Sequence, residues 1–254
     1  MLKTRIIPSL LLKNASLVKG AQFKNHKYVG DPINAVKIFN EKEADELVFL
    51  DISATIQNCG PNFELLKDIA SEAFMPFGYG GGITTIKQVE KLFWIGTEKV
   101  IINSQAFYNP IFISEASSVA GASSIVVSID VKKTLFGKYE VFVKNGTVNT
   151  KESPIEYSKK MEELGAGELI ICSISNEGTG KGFDLKLMNE ISSSVDIPVI
   201  ASGGAGTLQD LYDVVKISGV SAVSVGDMFV FYGKHKAVLI TYPKYSEMIE
   251  LFNN

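Results

Sequence analysis

Carboxylates with a possible chemical role stand at the ends of apolar segments in this chain. Asp130 ends the segment SIVVSID (124–130), and Asp51 stands near the end of LVFLDI (47–52). A carboxylate at the end of a buried strand can serve as a general acid or base or can contact a ligand. Its alternative role is to cap the following loop through local backbone hydrogen bonds. For Asp130 we favour chemistry; for Asp51 both roles stay open.

Two glycine-rich stretches, 77–84 (FGYGGGIT) and 201–207 (ASGGAGT), follow other apolar segments. Glycine lets backbone N–H groups approach an anion, and the start of a following helix adds its positive end. Tight turns also need glycine, but the two stretches correspond by an internal repeat, which favours phosphate binding at both. The sequence therefore predicts a small-molecule ligand with a phosphate at each end.

Polar residues after two further segments bear on the same prediction. Asn103 and Ser104 can donate hydrogen bonds to the first phosphate. Asp227 stands in the corresponding place on the second side, where a carboxylate does not suit an anion. Either its side chain turns away, or the second phosphate site has been lost.

Histidines and cysteines are scarce, which limits the possible chemistry. His26 and His235 each stand beside lysines, and we expect both to be solvated loop residues. A histidine-based metal site or a Ser-His-Asp triad is therefore disfavoured. Cys59 and Cys172 are predicted to be reduced thiols. We expect no metal and no cofactor, and acid–base chemistry by carboxylates, lysines or tyrosines.

Composition indicates one domain that spans residues 1–254. The 254 residues are 46% apolar and carry a formal charge of −3 without long runs of one sign. This length and composition suit a single α/β barrel with a large core. The charge argues against nucleic acid or an anionic membrane as the main partner. No segment resembles a signal peptide or reaches transmembrane length, so we expect a cytoplasmic protein.

Strand-like and helix-like segments alternate, and the second half of the chain repeats the sequence pattern of the first. Glu46-Leu47 matches Glu168-Leu169, and Gly81-Gly82 matches Gly203-Gly204, both at an offset of 122. Alternating βα units predict a parallel sheet, and four units in each half predict a (β/α)8 TIM barrel with half-barrels of about 1–122 and 123–254. A small hairpin is predicted at 136–147. The β-rich segments are 46–52, 99–103, 124–130, 168–174, 197–204 and 221–227.

The first and fifth predicted strands also match each other, at an offset of 119. Ser9 corresponds to Ser128 and Lys13 to Lys132, which places Leu11 opposite Asp130. Two carboxylates facing each other across the barrel would form a natural acid–base pair. This chain has one of them, and a leucine cannot exchange a proton.

The sequence resembles the cyclase subunit of imidazole glycerol phosphate synthase over essentially its whole length. The resemblance implies a subunit that receives ammonia from a separate glutaminase in a heterodimer. In that family, ammonia reacts at the barrel mouth with a bis-phosphorylated ribulosyl-aminoimidazole. The matching motifs are RII (5–7), LVKG (17–20), GDP (30–32), DELVFLDI (45–52), GGGI (80–83), EKVIIN (98–103), SID (128–130), GAGE (165–168), EGT (177–179) and IPVIASGGAG (197–206).

The resemblance also implies roles for individual residues. Asp130 matches a catalytic aspartate of the family. A ring of charges that gates ammonia entry matches Arg5, Glu46, Lys99 and Glu168, and its alternative role is a structural salt-bridge layer. Glu98 matches an acidic residue that contacts the glutaminase. The residues expected to face the phosphorylated ligand are Lys19, Gly82, Asn103, Ser104, Glu177, Gly178, Gly204, Gly226 and Asp227.

Three departures from the family pattern concern the chemistry. Leu11 replaces the aspartate of the first strand, Glu177 stands where the family usually has aspartate, and Asp227 replaces a phosphate-contacting serine. Loss of a general base commonly costs roughly 10²–10⁴-fold in rate.

Four hypotheses remain open from the sequence. The first is a diverged ammonia-relay subunit that supplies a different acceptor, held by a third protein, as in family members linked to amidine formation on a surface sugar. The second is a working cyclase of histidine biosynthesis, in which Asp130, together with Glu177 or Lys19, takes over the role of the lost base. The third is a scaffold that only activates the glutaminase. A phosphoribosyl isomerase ranks last, because it needs both aspartates and has no use for an ammonia gate.

Overall fold

Eight parallel strands close into a barrel in the computed structural model, which describes residues 4–134 and 137–253. The strands are β1 (Arg5–Lys13), β2 (Ser16–Ala21), β3 (Lys24–Gly30), β4 (Leu47–Asp51), β5 (Phe77–Gly80), β6 (Lys99–Ile102), β7 (Ile125–Lys133), β8 (Tyr139–Val143), β9 (Val148–Asn149), β10 (Glu168–Ser173), β11 (Val199–Ser202), β12 (Ala222–Val225), β13 (Phe231–Tyr232) and β14 (Ala237–Val238). The helices are α1 (Pro32–Glu41), α2 (Phe63–Glu72), α3 (Ile86–Ile95), α4 (Ser104–Tyr108), α5 (Ile111–Ala120), α6 (Pro154–Glu163), α7 (Leu185–Ser192), α8 (Leu208–Ser218), α9 (Asp227–Val230) and α10 (Tyr245–Asn253).

The barrel runs in chain order through β1, β4, β5, β6, β7, β10, β11 and β12, and β12 pairs with β1 to close it. Its strands are rich in valine, isoleucine and leucine because both of their faces are buried, one by the helices and one by the barrel interior. The predicted (β/α)8 barrel is thus confirmed. The assignment of all 254 residues to one domain stays a prediction.

Two antiparallel hairpins extend the barrel at matching places. Strands β8 and β9 continue from β7, which confirms the hairpin predicted near 136–147; its first residue, Phe136, lies outside the described residues. Strands β2 and β3 continue from β1 in the same manner. This first hairpin was not predicted, because its residues 16–30 are mostly polar and lack a clear alternating pattern.

Matching caps fix the starts of two symmetry-related helices. The side chain of Thr85 accepts a hydrogen bond from the backbone N–H of Gln88, and the side chain of Gln88 accepts one from the backbone N–H of Thr85. Thr207 and Asp210 form the same two hydrogen bonds at the start of α8. Such reciprocal capping satisfies backbone N–H groups that have no partner inside a helix. The helices after the two glycine-rich stretches are therefore anchored in the same way.

The hydrophobic core has two parts. The larger lies between the strands and the helices, and the smaller fills the barrel interior. The interior layer contains Ile7, Val48, Ile101, Val126, Ile170, Ile200 and Ala222, with Leu50 packed against it. It lies between the amino-terminal ends of the strands and their carboxyl ends.

Replacing Phe49 by alanine tests the outer core. Phe49 is fully buried and makes an edge-to-face contact with Phe77 at 6.2 Å between ring centroids. We expect Phe49→Ala to lower the free energy of unfolding by about 3–5 kcal/mol. The matched control is Phe74→Ala, because Phe74 is 88% exposed; its effect should stay within about 0.5 kcal/mol. Equal decreases in the free energy of unfolding of the two variants, measured by denaturant titration, would contradict the assigned packing.

Candidate functional site

A cavity of about 650 Å³ opens at the carboxyl ends of the barrel strands. This is the end at which the active sites of such barrels lie. The cavity brings together the predicted catalytic residue Asp130 and six of the nine residues predicted to face a ligand: Lys19, Gly82, Asn103, Ser104, Glu177 and Gly226. Gly178, Gly204 and Asp227 are not part of its lining.

Asp130 lies deep in this cavity and is 8% exposed. The side-chain nitrogen of Asn103 donates to Oδ2 of Asp130 at 3.1 Å and to the carbonyl of Ser128 at 2.9 Å. Burial raises the pKa of Asp130 to about 7, against the opposing effect of the Asn103 hydrogen bond, and the nearby Glu177 raises it further. A carboxyl group with such a pKa can both donate and accept a proton near neutral pH.

Leu11 occupies the position related to Asp130 by the internal repeat. Leu11 pairs with Leu50 on the neighbouring barrel strand, and Asp130 pairs with Cys172, which is 122 residues after Leu50. On its other side, each residue pairs with the hairpin that extends its own strand. Leu11 also lines the cavity. The site therefore presents a carboxyl group on one side and an isobutyl group on the other.

Lys19 places a buried amino group on the side of the cavity opposite Asn103. The residue is 2% exposed, and its Nζ donates to the carbonyl of Ser9 at 2.8 Å. The amino group lies directly against Gly226, where any side chain would collide with it. Burial raises the pKa of the nearby Glu177, Lys19 opposes this shift, and Asp227 reinforces it.

The first predicted phosphate site is held in shape by the hairpin after β7. Ser104 donates to the side-chain oxygen of Asn103 at 3.2 Å and accepts from the backbone N–H of Lys144 at 3.0 Å. The side chain of Asn145 donates to the carbonyl of Ile52, so the same turn reaches across to the loop after β4. Sequence reasoning missed Lys144 and Asn145, because loop residues of ordinary type carry no signal of such long-range contacts.

The second predicted phosphate site differs from the first. Asp227 has 13% of its side chain exposed, and its Oδ2 lies 3.4 Å from Nζ of Lys236. Gly204 packs against the backbone of Gly182, whose N–H donates to the Gly204 carbonyl at 2.8 Å. On this side, a carboxylate with its own counter-ion therefore stands where the symmetry-related side has Ser104.

The structure also defines the positions of Asp51 and His26. Oδ1 of Asp51 accepts from the backbone N–H and hydroxyl of Ser53, at 2.8 and 2.6 Å, and from the N–H of Ala54 at 3.1 Å. Asp51 therefore caps the loop after β4 and also lines the cavity. The prediction for His26 was wrong: its side chain is half-buried at the cavity wall, because the unpredicted hairpin folds it inward. Burial lowers its pKa, as do Lys13 and Lys19.

A closed ring of four charges lies at the opposite, amino-terminal end of the barrel. Arg5 contacts Glu46 at 2.7 Å and also pairs with Glu168, while Lys99 lies 3.1 Å from Glu46 and 2.7 Å from Glu168. The two glutamate side chains are only 7% and 5% exposed. Burial lowers the pKa of Arg5, but Glu168 and Glu46 outweigh this effect, and the net pKa is raised.

Ring, apolar layer and cavity follow one another along the barrel. Leu50, Ile101 and Ile170 belong to the apolar layer and also line the cavity. Arg5, Glu46, Lys99 and Glu168 stand at the starts of the strands whose later residues form that layer. A molecule moving from one end of the barrel to the other would pass charged, apolar and then polar side chains.

Within residues 4–134 and 137–253, no group of three or more His, Cys, Asp or Glu side chains is arranged to hold a metal ion. Over the same residues, no helix has the length and apolar character needed to cross a membrane. Cys59 and Cys172 are free thiols, the first exposed and the second buried.

Comparisons with known proteins agree with this architecture. The family described as histidine biosynthesis protein matches residues 5–236. A Pseudomonas aeruginosa protein provisionally named imidazole glycerol phosphate synthase subunit hisF2 is 50% identical over 98% of this chain and 99% of its own length. A Leptospira interrogans protein with a similar provisional name is 46% identical over 99% and 100%. The imidazole glycerol phosphate synthase subunit HisF of Petrotoga mobilis is 42% identical over 88% and 89%.

The family match covers nearly the whole barrel, and the relatives align over almost their full lengths. The chain therefore belongs to the histidine biosynthesis protein family, as a HisF-like barrel of the type found in the cyclase subunit of imidazole glycerol phosphate synthase.

Proposed function

We propose that this chain conducts ammonia through its barrel, from a glutaminase at the charged ring to an acceptor beyond the cavity. The observation that carries the proposal is the sequence of layers along the barrel: a ring of paired charges, an apolar interior and a polar cavity that lacks one carboxylate. Neutral ammonia can cross an apolar layer that would strongly disfavour an ion.

The charged ring is suited to act as a gate. Each of its four side chains has two partners of opposite charge, so one cation can give up a contact while both glutamates remain paired. A buried glutamate that lost all of its partners would be costly. Opening the ring by breaking a single ion pair therefore costs less free energy than opening it by withdrawing a charged side chain from both of its partners.

The glutaminase would bind at the face that carries the ring. Phe74 follows α2 and is 88% exposed, and Trp94 in the last turn of α3 is 79% exposed. Glu98, also exposed, directly precedes Lys99 of the ring. Large exposed aromatic side chains are typical of protein interfaces. This face thus offers aromatic anchors and a charged residue next to the gate.

The presence of Leu11 favours a reaction of ammonia outside this cavity. The resemblance implies that cyclisation uses two aspartates, and Leu11 holds the strand position that the internal repeat relates to Asp130. The acceptor that we propose is an acetamido sugar held by a third protein, an amidotransferase that forms an amidine for a surface polysaccharide. This assignment rests on the resemblance to family members linked to surface-sugar genes.

A second candidate is a working cyclase of histidine biosynthesis, in keeping with the names of the relatives. The observation that favours it is Asp130, buried, hydrogen-bonded by Asn103 and with a pKa near 7. Both candidates place the protein in the cytoplasm with a glutaminase partner, and they differ in whether the cavity itself performs the reaction.

Restoring the missing carboxylate separates the two candidates. We expect the wild-type chain with its glutaminase to show negligible turnover of the bis-phosphorylated ribulosyl-aminoimidazole, and Leu11→Asp to raise cyclisation by roughly 10²-fold or more, because a general base is restored. The control is Leu11→Asn, which has nearly the same shape and cannot take a proton. Robust wild-type cyclisation that Asp130→Asn abolishes would establish the cyclase instead.

Filling the barrel interior tests the relay. Ala222 lies in the apolar layer and is fully buried. With the glutaminase and the sugar amidotransferase present, Ala222→Phe should strongly reduce amidine formation from glutamine and leave formation from added ammonium salt unchanged. Ala222→Val controls for overpacking, which costs about 1–3 kcal/mol in a dense core. Unchanged glutamine-driven product in Ala222→Phe would exclude passage through the barrel.

The raised pKa of Asp130 predicts a pH-dependent stability. The folded protein holds the Asp130 proton up to about pH 7, whereas the unfolded chain releases it near pH 3.9. The folded state therefore loses stability relative to the unfolded state as pH rises between these values. The difference in melting temperature, Asp130→Asn minus wild type, should therefore increase from pH 5 to pH 8. Exposed Asp196→Asn serves as control, and a flat difference for Asp130→Asn would contradict the burial of this charge.

A further inference from the structure

The connections at the cavity end of the barrel are strongly basic, although the chain as a whole is acidic. Exposed lysines occur at the end of β7 and in the connections that follow β1, β10 and β12, among them Lys24, Lys27, Lys132, Lys133, Lys181 and Lys234. In the described parts of all eight strand-to-helix connections, Asp31 is the one exposed carboxylate. With a formal charge of −3 for the chain, the remaining surface must be negative, so the molecule is electrically polarised along the barrel.

These lysines do not serve the cavity directly. Of the lysines that the structure describes, Lys19 and Lys144 are the two that line it. Lys27, Lys132, Lys181 and Lys234 also form no ion pair with any residue in the described part of the chain. Their charge is therefore not compensated by a neighbouring carboxylate and is exposed to the solvent around the cavity.

Large apolar side chains are exposed between these lysines. Tyr28 on β3 is 69% exposed, Ile56 follows β4, and Tyr232, Val238 and Leu239 belong to the last hairpin. None of the five lines the cavity. We name Tyr28, Ile56, Tyr232, Val238 and Leu239, together with the exposed lysines given above, the mouth rim. Aromatic and aliphatic side chains set among charges are typical of a surface that binds another protein.

We propose that the mouth rim is the docking surface for a protein with an acidic contact face, the enzyme that consumes the ammonia. The inference rests on the proposed function. Positive charge around the cavity would guide an acidic surface into place and set its orientation. The apolar side chains would then be covered, and the docked enzyme would close the cavity before ammonia could escape into water and become protonated.

The location of the partner is tested by photo-crosslinking in the producing organism. Benzoylphenylalanine replaces Tyr232 in one variant and Trp94, at the opposite end of the barrel, in the other. We expect the Tyr232 position to capture the ammonia-consuming amidotransferase, identified by mass spectrometry of the crosslinked product, and the Trp94 position to capture the glutaminase; capture of any other protein at Tyr232 would count against the proposal. The absence of any captured protein at Tyr232, or capture only of a second copy of this chain, would overturn the proposal.

The chemistry of the surface is tested with the captured protein after purification. We expect Lys27→Glu/Lys234→Glu to slow its association about tenfold and to flatten the salt dependence, with little change in dissociation. Lys42→Glu/Lys160→Glu, at the C-terminal ends of α1 and α6 and so at the opposite end of the barrel, makes the same change of charge away from the mouth rim and should leave binding unchanged. Equal effects of the two double variants, or none in either, would overturn the assignment.

The result also separates this inference from the proposed function. If the captured protein binds through the mouth rim but Ala222→Phe leaves glutamine-driven transfer intact, the docking surface stands and the relay fails. If Ala222→Phe blocks transfer while Lys27→Glu/Lys234→Glu binds normally, the relay stands and the docking surface is overturned. If the mouth rim only attracts small anions, Lys27→Glu/Lys234→Glu would bind inorganic phosphate more slowly than wild type and would associate with the protein partner at an unchanged rate, which would overturn the docking surface.

Discussion

The salt-bridge ring at the amino-terminal end of the barrel is the interaction on which the rest of the account depends. Two glutamates that are nearly buried would destabilise any barrel if left alone, and removing one partner from such a network typically costs about 3–5 kcal/mol. Arg5 and Lys99 each contact both Glu46 and Glu168, so every charge is compensated without full solvation. An apolar plug would stabilise the barrel equally well, and the ring therefore calls for a reason beyond stability. The passage of ammonia that we propose would provide that reason.

The duplicated architecture explains how the other end of the barrel has changed. Symmetry-related positions begin with the same backbone environment, as the equivalent pairing of Leu11 and Asp130 shows. Each side of the barrel mouth can then lose a function separately. On the side where β6 and β7 end, Asp130 keeps a titrating carboxyl group, and Asn103 and Ser104 line the cavity beside it. On the side where β12 and β1 end, Leu11 provides no matching acid, and Asp227 forms an ion pair with Lys236. The asymmetry concerns chemistry and ligand charge, while the barrel itself is retained.

The sequence was sufficient for the barrel and for most of the cavity wall. Repeats at an offset of 122 and near-continuous apolar strands determine a closed parallel barrel, and strand ends then determine which side chains meet at the mouth. The parts that could not be predicted depend on long-range loop contacts. The hairpin at 16–30 turns His26 inward and buries Lys19, and the turn at Lys144 and Asn145 bridges two other loops. Such contacts arise from tertiary packing of polar segments, for which no periodicity exists.

Isotope competition measures channelling most directly. The chain, its glutaminase and the acceptor enzyme are supplied with ¹⁵N-amide glutamine in the presence of a large excess of unlabelled ammonium, and the ¹⁵N content of the product is determined by mass spectrometry. Passage through the barrel predicts a product whose nitrogen comes mainly from glutamine. A product with the isotope ratio of the bulk ammonium would show that the nitrogen reaches the acceptor through solution, and would contradict the account.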